Sequence, residues 1–404
     1  MKINMYELKM EFLIFALLLF PIVSPSPYIS LAVVLIALAA LYVLSEKHLK
    51  IIDRNEIIHF RKVGWCFLVI IILLLIVQSL FVLDVSRVAM QRSCVLMSQI
   101  YISMIFFALI SNGVVNLTFV VKSASLFSIL FSMYYLLHVL IYGLPSERDS
   151  VFAGFSSNYC ATVLYLLYPI LIYYIQKNRN NASSKKNVKR CYLAILLSFI
   201  VILTTGSRTA FGICVYIFGF ITLFTKWNQK KVIKIFSLVA VGTVALLFLI
   251  NRIPTLQDVV VRALRVFTET NVVKGDIRSW IWEVALDTFK GYNPWLGSGS
   301  NYFMFFDIYE PAHNFFIEVL LAYGWLGLGL LVLSHIVFVG CIVRKRTRTK
   351  KVYILAIFGA YLLTAYVQPF FSTSFNCGLT VWMTMGAIAL DDTAIIRKGK
   401  TECL

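Results

Sequence analysis

His313 stands just before Asn314-Phe315-Phe316-Ile317-Glu318, the opening of a long apolar run. A neutral imidazole serves as a general base near neutral pH, and it can take the proton of an attacking hydroxyl. Arginines accompany it. Arg278 lies in Arg278-Ser279-Trp280-Ile281-Trp282, Arg262 and Arg265 precede it, and Arg208 sits in Thr205-Gly206-Ser207-Arg208-Thr209-Ala210. A guanidinium offers a planar fork of donors that grips two oxygens of a phosphate. One base with several forks suits a transfer in which arginines neutralise a departing diphosphate while the imidazole deprotonates the acceptor. Asn314 and Glu318 are four apart and share a helix face, so the carboxylate has a polar neighbour. No Asp-rich or His/Cys ligand cluster accompanies these residues, so the sequence requires no metal and points to no cofactor.

Each residue also has a plainer reading. Arg208 opens an apolar segment after a very short connection, with Ser207 placed to cap it. The free N–H groups of that helix start form an anion site beside the guanidinium. Arg208 can equally be an arginine that snorkels to anchor the helix end. His313 sits at a helix start, with Pro311 suited to the first turn, which favours the neutral ring. An interfacial histidine without a chemical role fits the same position. Pro294-Trp295-Leu296-Gly297-Ser298-Gly299 reads either as an ordinary turn or as a ligand-facing loop.

The elements that must hold these residues are membrane spans. The 404 residues are 60% hydrophobic and only 14% charged, against about 25% charged in a soluble domain. Apolar runs of crossing length recur along the chain. They predict an all-α polytopic integral membrane protein with about 12 transmembrane helices, one membrane domain over residues 1–404. The spans centre on 12–23, 28–44, 64–83, 95–110, 125–144, 158–175, 191–205, 209–225, 232–250, 314–343, 352–370 and 377–390. The first resembles a signal peptide but lacks a small-x-small cleavage site, and we read it as an uncleaved helix. Eight cysteines are scattered singly with no C-x-x-C pair, and they read as packing residues.

Basic residues set the orientation. Lys47, Lys50, Arg54, Arg61 and Lys62 crowd the second connection, and Lys177 to Arg190 the sixth. Lys226 to Lys234 mark the eighth, Arg344 to Lys351 the tenth, and Arg397 to Lys400 the tail. All are even-numbered connections or a terminus, so the positive-inside rule places both termini in the cytoplasm. The same clusters account for most of the net charge of +18, which removes the support for a nucleic-acid partner. Residues 251–313 then form one large extracytoplasmic loop carrying short helices. Apolar residues at helical spacing place these over Leu256–Phe267 and Ile277–Phe289, with Asp276 as an N-cap for the second. Arg208, Arg278 and His313, with Arg262 and Arg265, thus fall on one leaflet. The substrate this suits is a membrane-embedded anion, most naturally a lipid diphosphate.

Taken in order, these segments resemble the O-antigen ligase/polymerase family of bacterial membrane proteins. The matching elements are Gly206-Ser207-Arg208-Thr209-Ala210, Arg278-x-Trp280-x-Trp282, Pro294-Trp295-Leu296-Gly297-Ser298-Gly299, and Ala312-His313-Asn314-x-x-x-Glu318 followed by Gly324 and Gly327. Gly154-Phe155-Ser156-Ser157-Asn158-Tyr159 also looks like a family feature. Arg208 with Gly219 fits an arginine-x-ten-glycine spacing. The resemblance covers about the C-terminal two-thirds of the chain.

The resemblance implies metal-independent glycosyl transfer from an undecaprenyl-diphosphate-linked glycan at the outer face of the bacterial inner membrane. His313 would be the base, and Arg208 and Arg278 would bind the diphosphate. Arg262, Arg265, Asn314 and Glu318 would be further substrate contacts, less firmly matched to motif positions. Partners would be the lipid-linked donor and acceptor, membrane lipids, a chain-length regulator and a flippase. The segment Asn314–Glu318 directly after a single His resembles the Wzy-type polymerases, which join lipid-linked repeat units into O-antigen or capsular polysaccharide. The alternative is an O-antigen ligase, whose acceptor is a lipopolysaccharide core sugar. A second alternative is a polysaccharide transporter or flippase. Against it stand the unmatched halves, the few mid-span charges and the single asymmetric loop.

Overall fold

The computed structural model describes residues 11–15, 36, 69, 73, 115–142, 157–225, 277–298, 312–344, 346–368 and 376–391. Outside these lie nearly all of the first four predicted spans, the ninth, the predicted helix 256–267, and residues Asp276, Pro311, Arg262 and Arg265. The described residues are helical with no strand. Their elements are α1 (Leu117–Tyr142), α2 (Ser157–Leu166), α3 (Tyr168–Asn178), α4 (Lys185–Thr205), α5 (Arg208–Phe224), α6 (Ile277–Phe289), α7 (Phe315–Val343), α8 (Arg348–Val367) and α9 (Asn376–Ala389). Among the described residues, five segments are long and apolar enough to cross a membrane: Leu117–Tyr142, Tyr159–Asn178, Ala182–Thr205, Phe315–Val343 and Arg348–Val367. Two shorter apolar helices, Arg208–Phe224 and Thr380–Ala389, accompany them. The protein is a membrane protein.

Local chemistry explains the boundaries. The predicted sixth span is divided into α2 and α3 at Leu167, because Pro169 lacks an N–H and disfavours helical geometry before it. Gly206 ends α4 in the left-handed region (φ 66°), its N–H returning to the Leu203 carbonyl at 3.1 Å. Ser207 then starts α5, its Oγ accepting from the Ala210 N–H at 3.3 Å. Two residues therefore reverse the chain. α7 begins at Phe315, with Asn314 as its N-cap.

Helix α1 packs chiefly on α4, α5 on α8, and α9 on α8 and α2. Side-chain bonds between helices fix their register. Tyr165 pairs with Thr364 at 2.7 Å, and Tyr353 donates to Gln176 at 2.6 Å, so α2–α3 runs antiparallel to α8. Ser198 donates to the Tyr168 hydroxyl at 3.3 Å, which sets α4 antiparallel to α3. One end of the bundle gathers the C-termini of α3, α7 and α9 and the N-termini of α4 and α8. There Lys177 and the Tyr173 hydroxyl both reach Asp391, and Lys350 donates to the Ala389 carbonyl. The basic clusters of the sixth and tenth connections thus share one end, the grouping their charge predicts. Arg208 belongs to the opposite end.

Candidate active site

Three elements bring the sequence-flagged residues toward that opposite end. Arg208 is the first residue of α5 and is exposed. Gly359 of α8 faces Tyr216 of α5, and a Cβ on Gly359 would collide with the Tyr216 hydroxyl. From that contact Arg208 is eight residues toward the start of α5, and Val367 eight residues toward the end of α8. In an antiparallel pair the two therefore stand at about the same level.

Tyr366, next to Val367, meets the ring of Trp282 edge-on, with centroids 5.3 Å apart. Trp282 belongs to α6, whose bounds match those expected from sequence, and whose buried residues Ile281, Ala285 and Phe289 form the expected apolar stripe. Arg278 is half-buried near the start of α6. It lies one turn before Trp282 on the same face, about 6 Å away by helix geometry. The Trp282 indole N–H donates to the Ala312 carbonyl at 2.6 Å. Ala312 is buried and immediately precedes His313. A single tryptophan therefore links the arginine helix, the end of α8 and the histidine segment.

His313 is half-buried and stands two residues before the start of α7. Its φ of +49° is positive, unusual for a residue with a Cβ, although His tolerates this region better than most. The strain comes from the sharp entry into α7. Asn314 returns at once to extended geometry, and its side-chain oxygen accepts from the Phe316 and Ile317 N–H groups at 3.0 and 3.2 Å. The oxygen of Asn314 thus serves as a helix cap, a role its sequence position alone did not reveal. Glu318 is fully buried, and its N–H donates to the Asn314 carbonyl at 2.9 Å. Arg262 and Arg265 lie outside the described residues.

The segment Pro294–Ser298 is more than a turn. It docks into a break in α7 at Gly324, whose φ of 64° and ψ of −166° are accessible to glycine almost alone. In an unbroken helix the Leu321 carbonyl would accept from the Trp325 N–H. Here it accepts instead from the N–H and hydroxyl of Ser298, at 2.8 and 2.9 Å. The Trp325 and Leu326 N–H groups in turn reach the Pro294 and Trp295 carbonyls, at 2.9 and 3.3 Å. The loop thus supplies partners for the Leu321 carbonyl and for the Trp325 and Leu326 amides that the break displaces.

Close approach demands glycine on both sides of this clasp. A Cβ on Gly297 (φ 74°) would lie 2.7 Å from the Gly324 nitrogen, and one on Gly324 would strike the Trp295 backbone. Gly327 is needed too, since a Cβ there would strike the Tyr323 Cβ. Gly219 differs, because a Cβ there would meet open space. Its spacing from Arg208 has no close-packing basis.

Part of the described structure, residues 193–225, 277–298 and 312–332, falls within a segment that matches a known family. Residues 193–332 match the model of a family described as O-antigen ligase. Over this stretch the chain is similar to that family, which supports the resemblance its motifs carry. The matched stretch includes Arg208, Arg278, His313, Glu318 and both sides of the clasp. No curated protein matches the chain.

Proposed function

We propose that the protein is a membrane glycosyltransferase of the outer face of the bacterial inner membrane. It polymerises undecaprenyl-diphosphate-linked oligosaccharide repeat units into O-antigen or capsular polysaccharide. Both termini are cytoplasmic in this reading, and residues 251–313 face outward as part of a single membrane domain. The observation that carries the proposal is the link from Arg278 through Trp282 to the His313 segment, at the end of the bundle that also holds Arg208.

The reaction needs no cofactor. An acceptor hydroxyl attacks the anomeric carbon of the donor glycan, a new glycosidic C–O bond forms, and the bond to the diphosphate oxygen breaks. His313 takes the hydroxyl proton, and undecaprenyl diphosphate leaves as the anion. Arg208 and Arg278 offset the charge that grows on the leaving group. Arg262 and Arg265 are further diphosphate contacts. Asn314 and Glu318 are further substrate contacts on the same segment, with the Asn314 oxygen engaged in capping. A flippase that delivers the repeat unit and a chain-length regulator are the partners this activity calls for.

The ligase reading shares this chemistry and differs in its acceptor. Deletion of the gene separates them. Surface glycan reduced to a single repeat unit identifies the polymerase. Full-length polymer stranded on its lipid carrier identifies the ligase. Surface glycan lost, with lipid-linked units retained on the cytoplasmic side, identifies a transporter and overturns the glycosyltransferase proposal, and unchanged glycan removes both the polymerase and the ligase.

A further inference from the structure

The first part of α7, from Asn314 to Tyr323, is held at both of its ends by the segment that carries Arg278. At its start, the Trp282 indole N–H fixes the Ala312 carbonyl. At its other end, Pro294–Ser298 fills the break at Gly324 with four backbone or hydroxyl hydrogen bonds. Between the two ties, residues Phe315 to Gly324 are largely buried, whereas Trp325 and Leu326, just beyond the break, are exposed. The half-helix is therefore set by the loop on one side and by the bundle on the other. It is not positioned as a simple extension of the span below it, because Gly324 interrupts the helical path.

The Pro294–Ser298 loop is itself built to hold one shape. Asn293 Oδ1 accepts from the Trp295 and Leu296 N–H groups at 2.9 and 3.3 Å. The Gly297 N–H returns to the Asn293 carbonyl at 2.8 Å. Only a few residues separate this turn from the end of α6, so the clasp and Trp282 are parts of one short segment, residues 277–298.

We propose that residues 277–298 act as a splint, and that Trp282, Gly297, Ser298 and Gly324 are positioning residues that set where His313 stands relative to Arg278. The proposal rests on the glycosyl-transfer reading above, and it adds four residues to which that reading gives no part in the chemical step. A base placed about 1 Å away from its acceptor can lose on the order of a hundredfold in rate, because proton transfer requires direct reach. A diphosphate gripped by flexible guanidinium forks is less sensitive to the same displacement. The splint therefore bears on turnover rather than on donor affinity.

Trp282→Phe is the decisive variant. It retains an aromatic ring beside Tyr366 and removes the N–H that holds Ala312 along with part of the indole's volume, and the Tm and donor Kd report whether that lost volume disturbs packing. Gly324→Ala opens the clasp from the other side. Purified proteins in detergent are compared for turnover of lipid-linked repeat units, donor affinity and melting temperature, with His313→Ala alongside. The expected result is a fall in kcat of about ten- to hundredfold for Trp282→Phe, with donor Kd and Tm near those of the native protein. Gly324→Ala should show the same loss of kcat with a lowered Tm, and Ser298→Ala a smaller loss of kcat because its N–H remains. Native kcat in Trp282→Phe, beside an inactive His313→Ala, overturns the splint and leaves the glycosyl-transfer reading standing. A fall in donor affinity at unchanged kcat also overturns it. A fully active His313→Ala removes the glycosyl-transfer reading itself.

Discussion

A guanidinium and an ammonium carry the same charge, and the difference between them tests the proposed diphosphate contacts. Arg208 is exposed and Arg278 half-buried, so neither is needed to fill the core. Arg208→Lys and Arg278→Lys should each lower activity by about tenfold or more at equal protein level, since a lysine cannot grip two phosphate oxygens with one rigid fork. Activity at the native level in both variants would favour the helix-anchor reading. His313→Ala should lose about 10²–10⁴-fold in rate while donor binding persists, as expected for removal of a general base. Native enzyme should lose rate on the acid side as its imidazole becomes protonated, and that acid limb should be missing from the residual activity of the variant. A donor-binding assay beside a product-length assay separates the two kinds of defect. A His313→Ala protein that fails only to bind donor would make the histidine a ligand contact instead of a base.

At the scale of elements, apolar run length and caps located the helices well. Residues 277–289, 314–343 and 377–390 were expected, and Ile277–Phe289, Phe315–Val343 and Asn376–Ala389 are found. Ser207 was legible as a cap because a small polar residue stood directly before an apolar run. Asn314 was legible as a neighbour of Glu318 but not as the cap of α7, since Pro311 suggested an earlier start. The break at Gly324 was not legible as a break. Glycine is common in transmembrane helices, and the sequence around it is uninterrupted in its apolarity. What it lacked was any local sign that a loop nearly thirty residues away would provide substitute hydrogen bonds. The logic of such a site lies in tertiary pairing, which periodicity does not encode. Two stability measurements follow. Asn314→Ala should lower stability by about 1 kcal/mol through loss of the cap. Gly297→Ala should cost more, since its φ is positive and its Cβ has no room between Gly324 and Leu321. Thermal unfolding in one detergent ranks the two, and an equal Tm for both would contradict the clasp geometry.

For the whole molecule, the test is which side each end faces. Lys186 is exposed at the end of the bundle that gathers the basic clusters, and Trp295 is exposed in the loop that docks at Gly324. In a background without native cysteines, Trp295→Cys should react with an impermeant thiol reagent from outside intact inner-membrane vesicles of native sidedness, and Lys186→Cys only after permeabilisation. The reverse pattern would place the arginines and His313 on the cytoplasmic face, where a diphosphate-linked repeat unit is assembled rather than polymerised. The break at Gly324 also bears on how the chain fits its bilayer. The 29 residues of α7 would extend about 43 Å if straight, well beyond a hydrocarbon core of about 30 Å. A helix that long would have to tilt or thicken the surrounding lipid. Below Gly324, Trp325 to Val343 spans about 28 Å, close to the core thickness, and presents Val332, Leu333 and Ile336 outward. The part above the break is shielded by protein. The surplus length is therefore held by the loop and not by lipid, and a change in acyl-chain length can be taken up by the lower segment without tilting the segment that bears His313.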